Sequence, residues 1–203
     1  MPITTEEEST FARLAPAGHY LALRVGFAFP TEERVCLPPA WVAEYTRNGL
    51  MLVDPSMKWV YQRRGIVRWS ALGMPDPAGV LAAAARHGLA FGAAVSVADE
   101  GGHGQRSFGT FARSDREFSD EELACLEASV VRLHIARTPP TNLTTAELEA
   151  LRLVRDGHLM KEIAGILGVS EGAVQQRLKN AKLKLNATTS SHAVSMASGF
   201  GLI

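Results

Sequence analysis

The spacing of helix start and stop signals in the C-terminal part of this chain, residues 143–203, constrains the fold more than any other feature. Thr144 and Glu147 form a capping-box pattern, which predicts that a helix begins there. Gly157 and Gly168 are placed to end two short helices, because glycine readily adopts the left-handed conformation that follows a helix. A turn of only three residues, ending at Ser170, then leads into a third helix. Two helices joined by so short a turn predict a helix-turn-helix.

The predicted third helix, Glu171–Leu185, combines an apolar stripe with a basic flank. Between Ser170 and Lys184, four basic residues oppose one acidic residue, in a chain whose formal net charge is zero. Such a helix suits a groove lined by phosphates, and the alternative is a solvated polar face on an ordinary helical hairpin. The apolar residues recur at intervals of four, three and four and are expected to pack on the first two helices: Val174, Leu178, Ala181 and Leu185.

We expect the polar flank of this helix to contact double-stranded promoter DNA. Glutamine can form two hydrogen bonds with adenine and lysine can bind the acceptor edge of guanine, whereas other basic side chains favour phosphates. The predicted base contacts are therefore Gln175 and Lys179. The full predicted set of DNA contacts is Gln175, Gln176, Arg177, Lys179 and Lys182.

This C-terminal part resembles the DNA-binding domain of the LuxR family. The resemblance departs from the usual family pattern at Ala173, Arg177 and Ser190, where threonine, histidine and arginine are common. It implies a fourth helix, roughly Ser190 to Ser198, that packs against its counterpart in a dimer. The matching positions include Leu143-Thr144, Glu147, Lys161-Glu162-Ile163-Ala164, Leu167-Gly168-Val169-Ser170-Glu171 and Lys184-Leu185.

A short proline-containing segment precedes this part of the chain. Residues 137–142 follow a predicted helix from Ser119 to Ala136 and contain two consecutive prolines, which cannot continue a helix. Extended polar segments of this kind are typical of interdomain linkers. The sequence therefore predicts an N-terminal domain at residues 1–136, a linker at 137–142 and a DNA-binding domain at 143–203.

Three aromatic residues and one acidic residue stand out in the N-terminal domain. Trp41 and Tyr45 lie four residues apart in a predicted helix, Pro39–Arg47, and so share a face. Asp54 occupies a helix-cap position before a proline, and Trp69 ends an apolar strand-like run. Taken singly, each favours an ordinary role as core aromatic or cap. Their joint arrangement favours a binding site.

Together with Gly92, these residues resemble the signature of the LuxR-family autoinducer-binding domain, although the stretch before Gly92 is a few residues short. The resemblance implies that the ligand is an N-acyl homoserine lactone and that Trp41 donates its indole N–H to the lactone carbonyl. Asp54 would accept from the ligand amide, and Tyr45 would donate to the acyl carbonyl. Trp69 would pack on the ring. No metal and no further cofactor is expected.

Phe111 is expected to reshape this ligand site. It lies in a predicted strand, Ser107–Ala112, where many family members have a small hydroxyl residue, and we count it among the ligand-binding residues. Ser96 replaces a proline that is usual after Gly92. These departures leave open a different ligand preference, a regulator that needs no ligand, or a protein that heterodimerises with a related regulator and silences it.

The fold class expected from the pattern and the resemblance is α+β in two domains, with an N-terminal α/β/α sandwich around an antiparallel sheet and an all-α four-helix C-terminal domain. The glycine run at residues 101–104 is interpreted as a hairpin connection, since it lacks the lysine and hydroxyl residues of a phosphate loop. Strands are expected near His19 to Phe27, Ile66 to Ser70, Phe91 to Val97 and Ser107 to Ala112, and helices near Pro39 to Arg47, Pro55 to Arg63, Pro77 to His87 and Ser119 to Ala136.

Composition and motifs exclude several other classes. The chain start has no basic segment followed by an apolar run, and no apolar stretch is long enough to span a bilayer, so we expect a cytoplasmic protein. Cys36 and Cys125 lack metal-ligand spacing and are expected to be reduced thiols, with a redox switch as the open alternative. No Ser/His/Asp or Cys/His motif predicts an enzyme.

The expected partners follow from these predictions: promoter DNA, the lactone, a second copy of the chain and, as a further candidate, RNA polymerase. A response regulator gated by phosphorylation is disfavoured, because the N-terminal half lacks a succession of buried parallel strands that ends in a phosphoacceptor aspartate.

Overall fold

The structure is a computed structural model that describes residues 5–25, 30–99 and 105–203. The chain divides into two compact units, Met1–Arg137 and Thr138–Ile203. The first combines a sheet with helices and the second is helical, which confirms the predicted α+β fold class. Among the described residues, every helix is too short or too polar to cross a membrane.

An antiparallel sheet of five strands forms the centre of the N-terminal unit, with the strand order β2-β1-β5-β4-β3. The two faces of the sheet are set by the alternation of side chains along each strand. The strands are β1 Gly18–Val25, β2 Glu32–Cys36, β3 Gly65–Arg68, β4 Phe91–Ala98 and β5 Arg106–Arg113.

Helices cover both faces of this sheet. α1 (Thr5–Leu14) and α5 (Asp120–Ala136) belong to the first face, where they bury an apolar core with the strands. The second face carries α2 (Pro39–Arg47), α3 (Pro55–Gln62) and α4 (Val80–Arg86), together with 3-10 turns at Leu50–Leu52 and Trp69–Ala71. The expected α/β/α sandwich is thereby confirmed.

Two element boundaries differ from the sequence prediction. α4 begins at Val80 rather than near Pro77. The Asp76 carboxylate accepts from the amides of Val80 and Leu81, which have no acceptor within the helix, and so fixes the start of α4 there. β3 ends at Arg68, and the chain then turns through the 3-10 segment that contains Trp69.

Two further elements, α1 and β2, were not predicted, and some predictions cannot be compared with the structure. β2 was missed because Glu32, Glu33 and Arg34 give an edge strand a polar character on both faces. The predicted hairpin connection at residues 101–104 and the predicted end of the first strand at Phe27 lie outside the described residues.

The C-terminal unit contains the predicted sequence of short helices. Thr144 accepts from the amide of Glu147 while the Glu147 carboxylate accepts from the amide of Thr144, which confirms the capping box. Gly157 and Gly168 have positive φ angles of 87° and 64°, as expected for residues that end helices. The helices are α6 Thr145–Arg155, α7 Met160–Leu167, α8 Glu171–Lys184 and α9 Ser190–Gly199.

A buried polar network joins the sheet to the end of α5. The His134 ring donates from Nε2 to Asp99 (2.9 Å), and its Nδ1 lies 2.8 Å from the Ser107 hydroxyl. Arg24 donates from Nε to the His134 carbonyl and from Nη1 to Asp99. The Ser107 hydroxyl also accepts from the Arg24 amide and is fully buried, so it donates to a neutral His134.

This Ser-His-Asp chain has the hydrogen-bond order of a catalytic triad, which the sequence did not reveal because the three residues are far apart. The order alone does not make a hydrolase, because an attacking serine must be reached by its substrate. Ser107 has no exposed surface and already serves the Arg24 amide. We therefore assign the network a structural role.

The stability of the N-terminal unit is expected to fall on mild acidification. Burial first, and the Arg24 charge second, hold the pKa of His134 below its ordinary value, and burial also lowers the pKa of His19. The unfolded chain therefore takes up protons first as the pH falls through about 6.5, and the free energy of unfolding decreases from there toward the folded-state pKa. Urea unfolding between pH 7.5 and 5.5, a range above carboxylate titration, measures this loss.

Tryptophan fluorescence reports on this unit selectively, because all three tryptophans, Trp41, Trp59 and Trp69, lie in it. His134→Gln should flatten the pH dependence in part and leave the contribution of His19. A dependence that is identical in the wild type and in His134→Gln would contradict the assignment.

Candidate functional site

A cavity of about 240 Å³ lies between the second face of the sheet and the helices that cover it. Four of the five residues predicted to bind a ligand line it: Trp41, Tyr45, Asp54 and Trp69. α2 places Trp41 and Tyr45 one turn apart, with their ring centroids 5.3 Å from each other. The remaining wall is largely aliphatic, with Val42, Met57, Val80, Leu81, Ala84, Leu89 and Ala112 among the lining residues.

Asp54 serves both as a helix cap and as a polar group of the cavity. Its Oδ1 accepts from the amide and the hydroxyl of Ser56, each at 2.7 Å, and so caps α3. Its Oδ2 accepts from the Tyr45 hydroxyl at 2.8 Å. Because a carboxylate oxygen has two acceptor positions, Oδ2 can still accept one hydrogen bond from a ligand.

The Tyr45 hydroxyl remains a donor. Burial first, and the negative charge of Asp54 second, raise the pKa of Tyr45 well above its ordinary value. The hydroxyl has one proton, which it donates to Asp54 in this structure. It can therefore donate to a ligand carbonyl only after it turns away from Asp54.

The two indole N–H groups of the cavity wall are available as donors. Trp69 Nε1 is buried and has no hydrogen-bond partner among the described residues. An unpaired buried donor costs about 1 to 3 kcal/mol, so an acceptor on a ligand would relieve a cost that the protein alone bears. Trp41 likewise has no described acceptor for its indole N–H, and its ring packs between Tyr45 and His87.

Gly92 permits the position of Trp69. The indole ring lies directly on the β4 backbone at Gly92, where a Cβ atom would come within 2.0 to 2.4 Å of three ring atoms. Gly92 pairs with Ala112 of β5, another residue of the cavity wall. The glycine is therefore explained by a close approach of an aromatic ring to the backbone.

Phe111 corrects the sequence prediction, because it does not line the cavity. Its side chain points to the opposite face of the sheet, where it is fully buried against Phe11 and His19. Successive residues of a strand face opposite sides, so its neighbours Thr110 and Ala112 line the cavity instead. Thr110 therefore places a small hydroxyl side chain on the cavity side of the strand.

A second polar pair in the cavity lining was missed in the sequence. The Tyr20 hydroxyl donates to Glu33 Oε1 at 2.7 Å, and both residues contribute to the lining on the side of β2. Burial and the Glu33 carboxylate raise the pKa of Tyr20. Recognition of this pair required the pairing of β1 with β2, which no local pattern indicated.

In the C-terminal unit, α8 presents a polar surface beside its buried stripe. Val174, Leu178 and Ala181 face the core of this unit. Gln175 and Lys179 are exposed. Of the five side chains predicted to contact DNA, only Gln176 forms a hydrogen bond within the described part of the protein: it donates to Asn180 at 2.8 Å. The unpaired set is Gln175, Arg177, Lys179 and Lys182.

Lys184 does not belong to this surface, although it was counted in the basic flank. Its Nζ donates to both carboxylate oxygens of Glu147, at 2.9 and 2.8 Å, and to the carbonyl of Asn142. Glu147 is buried, and this ion pair fastens the end of α8 to the start of α6. The positive surface therefore rests on Arg177, Lys179 and Lys182.

Comparison with known proteins gives a family match for each unit. Residues 33–136 match the autoinducer binding domain family. Residues 141–197 match the bacterial regulatory proteins of the luxR family. The two matched ranges include Trp41, Tyr45, Asp54 and Trp69 of the cavity and the polar residues of the α8 surface, whereas Tyr20 precedes the first range.

Relatives match across most of the chain. The regulatory protein SdiA of Escherichia coli K12 is 30% identical over 181 residues, which cover 82% of this chain and 74% of SdiA. A crystal structure of E. coli SdiA superposes with a TM-score of 0.53 at 26% identity, over 100% of this chain and 93% of that chain. SdiA in complex with octanoyl-rac-glycerol gives a TM-score of 0.51 at 24% identity, over 98% and 90% of the two chains.

Proposed function

The chain belongs to the LuxR family of bacterial transcriptional regulators, and on this premise we propose how its two units act. The N-terminal domain, residues 1–136, binds an N-acyl homoserine lactone. The DNA-binding domain, residues 143–203, follows a linker at 137–142 and binds dyad-symmetric promoter DNA as a dimer. The protein is a cytoplasmic quorum-sensing regulator, and RNA polymerase is a further candidate partner.

The observation that carries the ligand proposal is the convergence of Trp41, Asp54 and Trp69 on one cavity. The two indole N–H groups are donors and Asp54 Oδ2 is an acceptor, which matches an amphiphile with two carbonyls and one amide N–H. The aliphatic wall suits an acyl chain, because each buried methylene contributes about 0.8 kcal/mol.

The role of Tyr45 is refined by its hydrogen bond to Asp54. We propose that Trp41 donates to the lactone carbonyl and that Asp54 accepts from the ligand amide, while Tyr45 holds the carboxylate in place. Tyr45 can also donate to the acyl carbonyl if its hydroxyl group rotates away from Asp54 when the ligand binds. Trp69 packs on the ligand, and its orphan N–H is the second donor.

Thermal unfolding in the presence of acyl homoserine lactones of graded chain length tests this proposal. A ligand at one hundred times its Kd stabilises the folded state by about 2.7 kcal/mol. We expect the shorter chains to stabilise most, because about 240 Å³ lies below the usual range for ligand cavities. Ring-opened acyl homoserines are the matched control, since they keep the chain and amide but replace the lactone by a carboxylate.

Failure of every lactone to raise the unfolding temperature would refute the lactone assignment. Octanoyl-rac-glycerol, the compound named with the SdiA structure, is a useful second probe because it has the chain without the lactone ring. Stabilisation by the acylglycerol alone would assign the cavity to neutral acyl compounds of another class.

The DNA proposal rests on the unpaired side chains of α8. Gln175 and Lys179 extend from the exposed side of the helix, and Arg177 and Lys182 flank them. A dimer would place two such helices about one turn of DNA apart. Arg177, Lys182 and Gln176 are the proposed backbone contacts, because phosphate contacts fix the register of a protein on DNA without reading its sequence.

Gln175→Ala and Lys179→Ala are each expected to weaken binding to the preferred DNA sequence by about 1 to 3 kcal/mol, if these side chains read base edges. The preferred sequence can be selected from a random pool and the affinities measured at several salt concentrations. Lys58→Ala is the matched control, since it removes the same charge from the N-terminal unit.

Equal weakening on preferred and random DNA would instead assign the two side chains to phosphates. If the pure homodimer fails to bind any DNA but still pairs with a related regulator, the protein is an inhibitory partner. The main sequence argument for that alternative, a ring of Phe111 in the ligand site, is removed by the position of Phe111 on the other face of the sheet.

A further inference from the structure

A second concave surface lies on the first face of the sheet, away from the ligand cavity. This groove, of about 400 Å³, runs between α1 and the β1–β2 edge. Its apolar side is formed by Phe11, Ala12, Ala15 and Pro16, and its polar side by Glu8, His19, Arg34 and Cys36. Cys36 is an exposed free thiol on β2, whereas Val35 and Leu37 on either side of it line the ligand cavity.

His19 lies beside this thiol. It faces Cys36 directly across the antiparallel β1–β2 pair, a register that places the two Cβ atoms about 4.5 to 5.5 Å apart. The His19 side chain is only 7% exposed and lines the groove, and no described residue forms a hydrogen bond with its ring nitrogens. A buried imidazole without a partner is a proton acceptor directed at the groove, and burial keeps it neutral by lowering its pKa.

Arg34 adds a positive charge with an unused donor. It precedes Cys36 by two residues and so shares its face of the strand. One of its terminal nitrogens pairs with Glu32 at 3.2 Å, but its Nε is buried and has no hydrogen-bond partner among the described residues. Reactive cysteines are typically accessible thiols with a basic or cationic group nearby, and here the neutral His19 and the Arg34 guanidinium are those groups, with the Glu8 carboxylate opposing them in the same groove.

We propose that this groove is a thiol-modification site. There Cys36 reacts with the disulfide form of a small thiol that has carboxylate groups, and the product is a mixed disulfide. His19 takes the Cys36 proton, and the thiolate attacks one sulfur of the disulfide. The Cys36–S bond forms as the S–S bond of the small molecule breaks, and its other half leaves as a thiolate with the electron pair. The exposed part of the Arg34 guanidinium binds a carboxylate of the attached half, and the apolar side of the groove packs against it.

The test measures the rate of mixed-disulfide formation at each cysteine of the full chain with glutathione disulfide, followed by mass spectrometry. We expect Cys36 to react about tenfold faster in the folded protein than in urea. A thiol in the folded protein cannot be more accessible than in the unfolded chain, so a faster folded-state reaction would come from its neighbours His19 and Arg34. Cys125, which packs against the core, is the internal control and should react more slowly when folded. A folded-state rate at Cys36 equal to or below the unfolded rate would overturn the proposal.

Two variants separate the contributions of the neighbours. Arg34→Gln should slow the reaction severalfold more with glutathione disulfide than with uncharged hydroxyethyl disulfide, since only the former has carboxylates. His19→Asn should slow both reagents. If Arg34→Gln reacts like the wild type with both disulfides, anion recognition by this groove is wrong. The Arg34 result stands even if His19→Asn fails to fold, because the Arg34 side chain is 40% exposed.

Discussion

Replacing Asp54 with alanine is expected to reduce the stability of the N-terminal unit by roughly 2 to 4 kcal/mol and to abolish lactone binding. Asp54 is 7% exposed, and its carboxylate caps α3 through Ser56 and accepts from the Tyr45 hydroxyl. Its removal leaves the Ser56 amide and the hydroxyls of Ser56 and Tyr45 without this acceptor. The ligand amide loses its proposed partner at the same time. Urea unfolding followed by tryptophan fluorescence, and ligand titration of the folded variant, measure the two effects.

Asp54→Asn separates the cap from the ligand contact. The amide oxygen can still cap α3, and the Tyr45 hydroxyl can reverse its bond and accept from the amide nitrogen. Stability should therefore change by only about 1 kcal/mol. The ligand N–H would instead meet a donor, and affinity should fall about ten- to hundredfold.

Asp76→Asn is the control outside the cavity: both Asp76 oxygens accept from backbone amides at the start of α4, so this variant should lose stability but keep its affinity for the lactone. If Asp54→Asn binds lactones as tightly as the wild type, Asp54 is a helix cap only. The Tyr45 hydroxyl would then be the donor to the ligand, and Tyr45→Phe, rather than Asp54→Asn, would weaken lactone binding.

The parts of this protein that the sequence predicted are those encoded within a few residues. The start of α6 depends on Thr144 and Glu147, and the end of α7 depends on Gly168, so both are legible as local patterns. The cavity set was recognisable because Trp41 and Tyr45 share one helix and Asp54 begins the next.

The parts that the sequence did not predict depend on pairing between distant residues. Phe111 was placed in the ligand site because an uncertainty of one residue along a strand exchanges the two faces of a sheet. Lys184 was counted in the basic flank of the third helix, and its pairing with Glu147, 37 residues earlier, could not be seen in a local pattern. The contact of Ser107 with His134 likewise spans 27 residues and joins β5 to α5.

Gly92→Ala is expected to be the second severe substitution, although it adds a single methyl group. The new Cβ would lie 2.0 to 2.4 Å from three atoms of the Trp69 indole, so the ring must move. The ring cannot move without disturbing its packing, because Trp69 packs against both apolar clusters on this face of the sheet. Overpacking of this kind costs about 1 to 3 kcal/mol. A displaced ring would also enter the cavity, so we expect lactone-dependent stabilisation to be lost.

The matched control is Gly165→Ala in α7, where a Cβ would meet no atom within 4 Å. Because glycine within a helix is less stable than alanine, that variant should gain about 0.5 to 1 kcal/mol, so the methyl group itself is not harmful. Combining Gly92→Ala with Trp69→Leu removes the ring that collides. The double variant should be more stable than the sum of the single changes by about 1 kcal/mol or more, the amount by which residues in direct contact fail to be additive. Additive losses would instead mean that the β4 backbone, rather than the indole, bears the strain, and Trp69 would then keep its place in the cavity wall in Gly92→Ala.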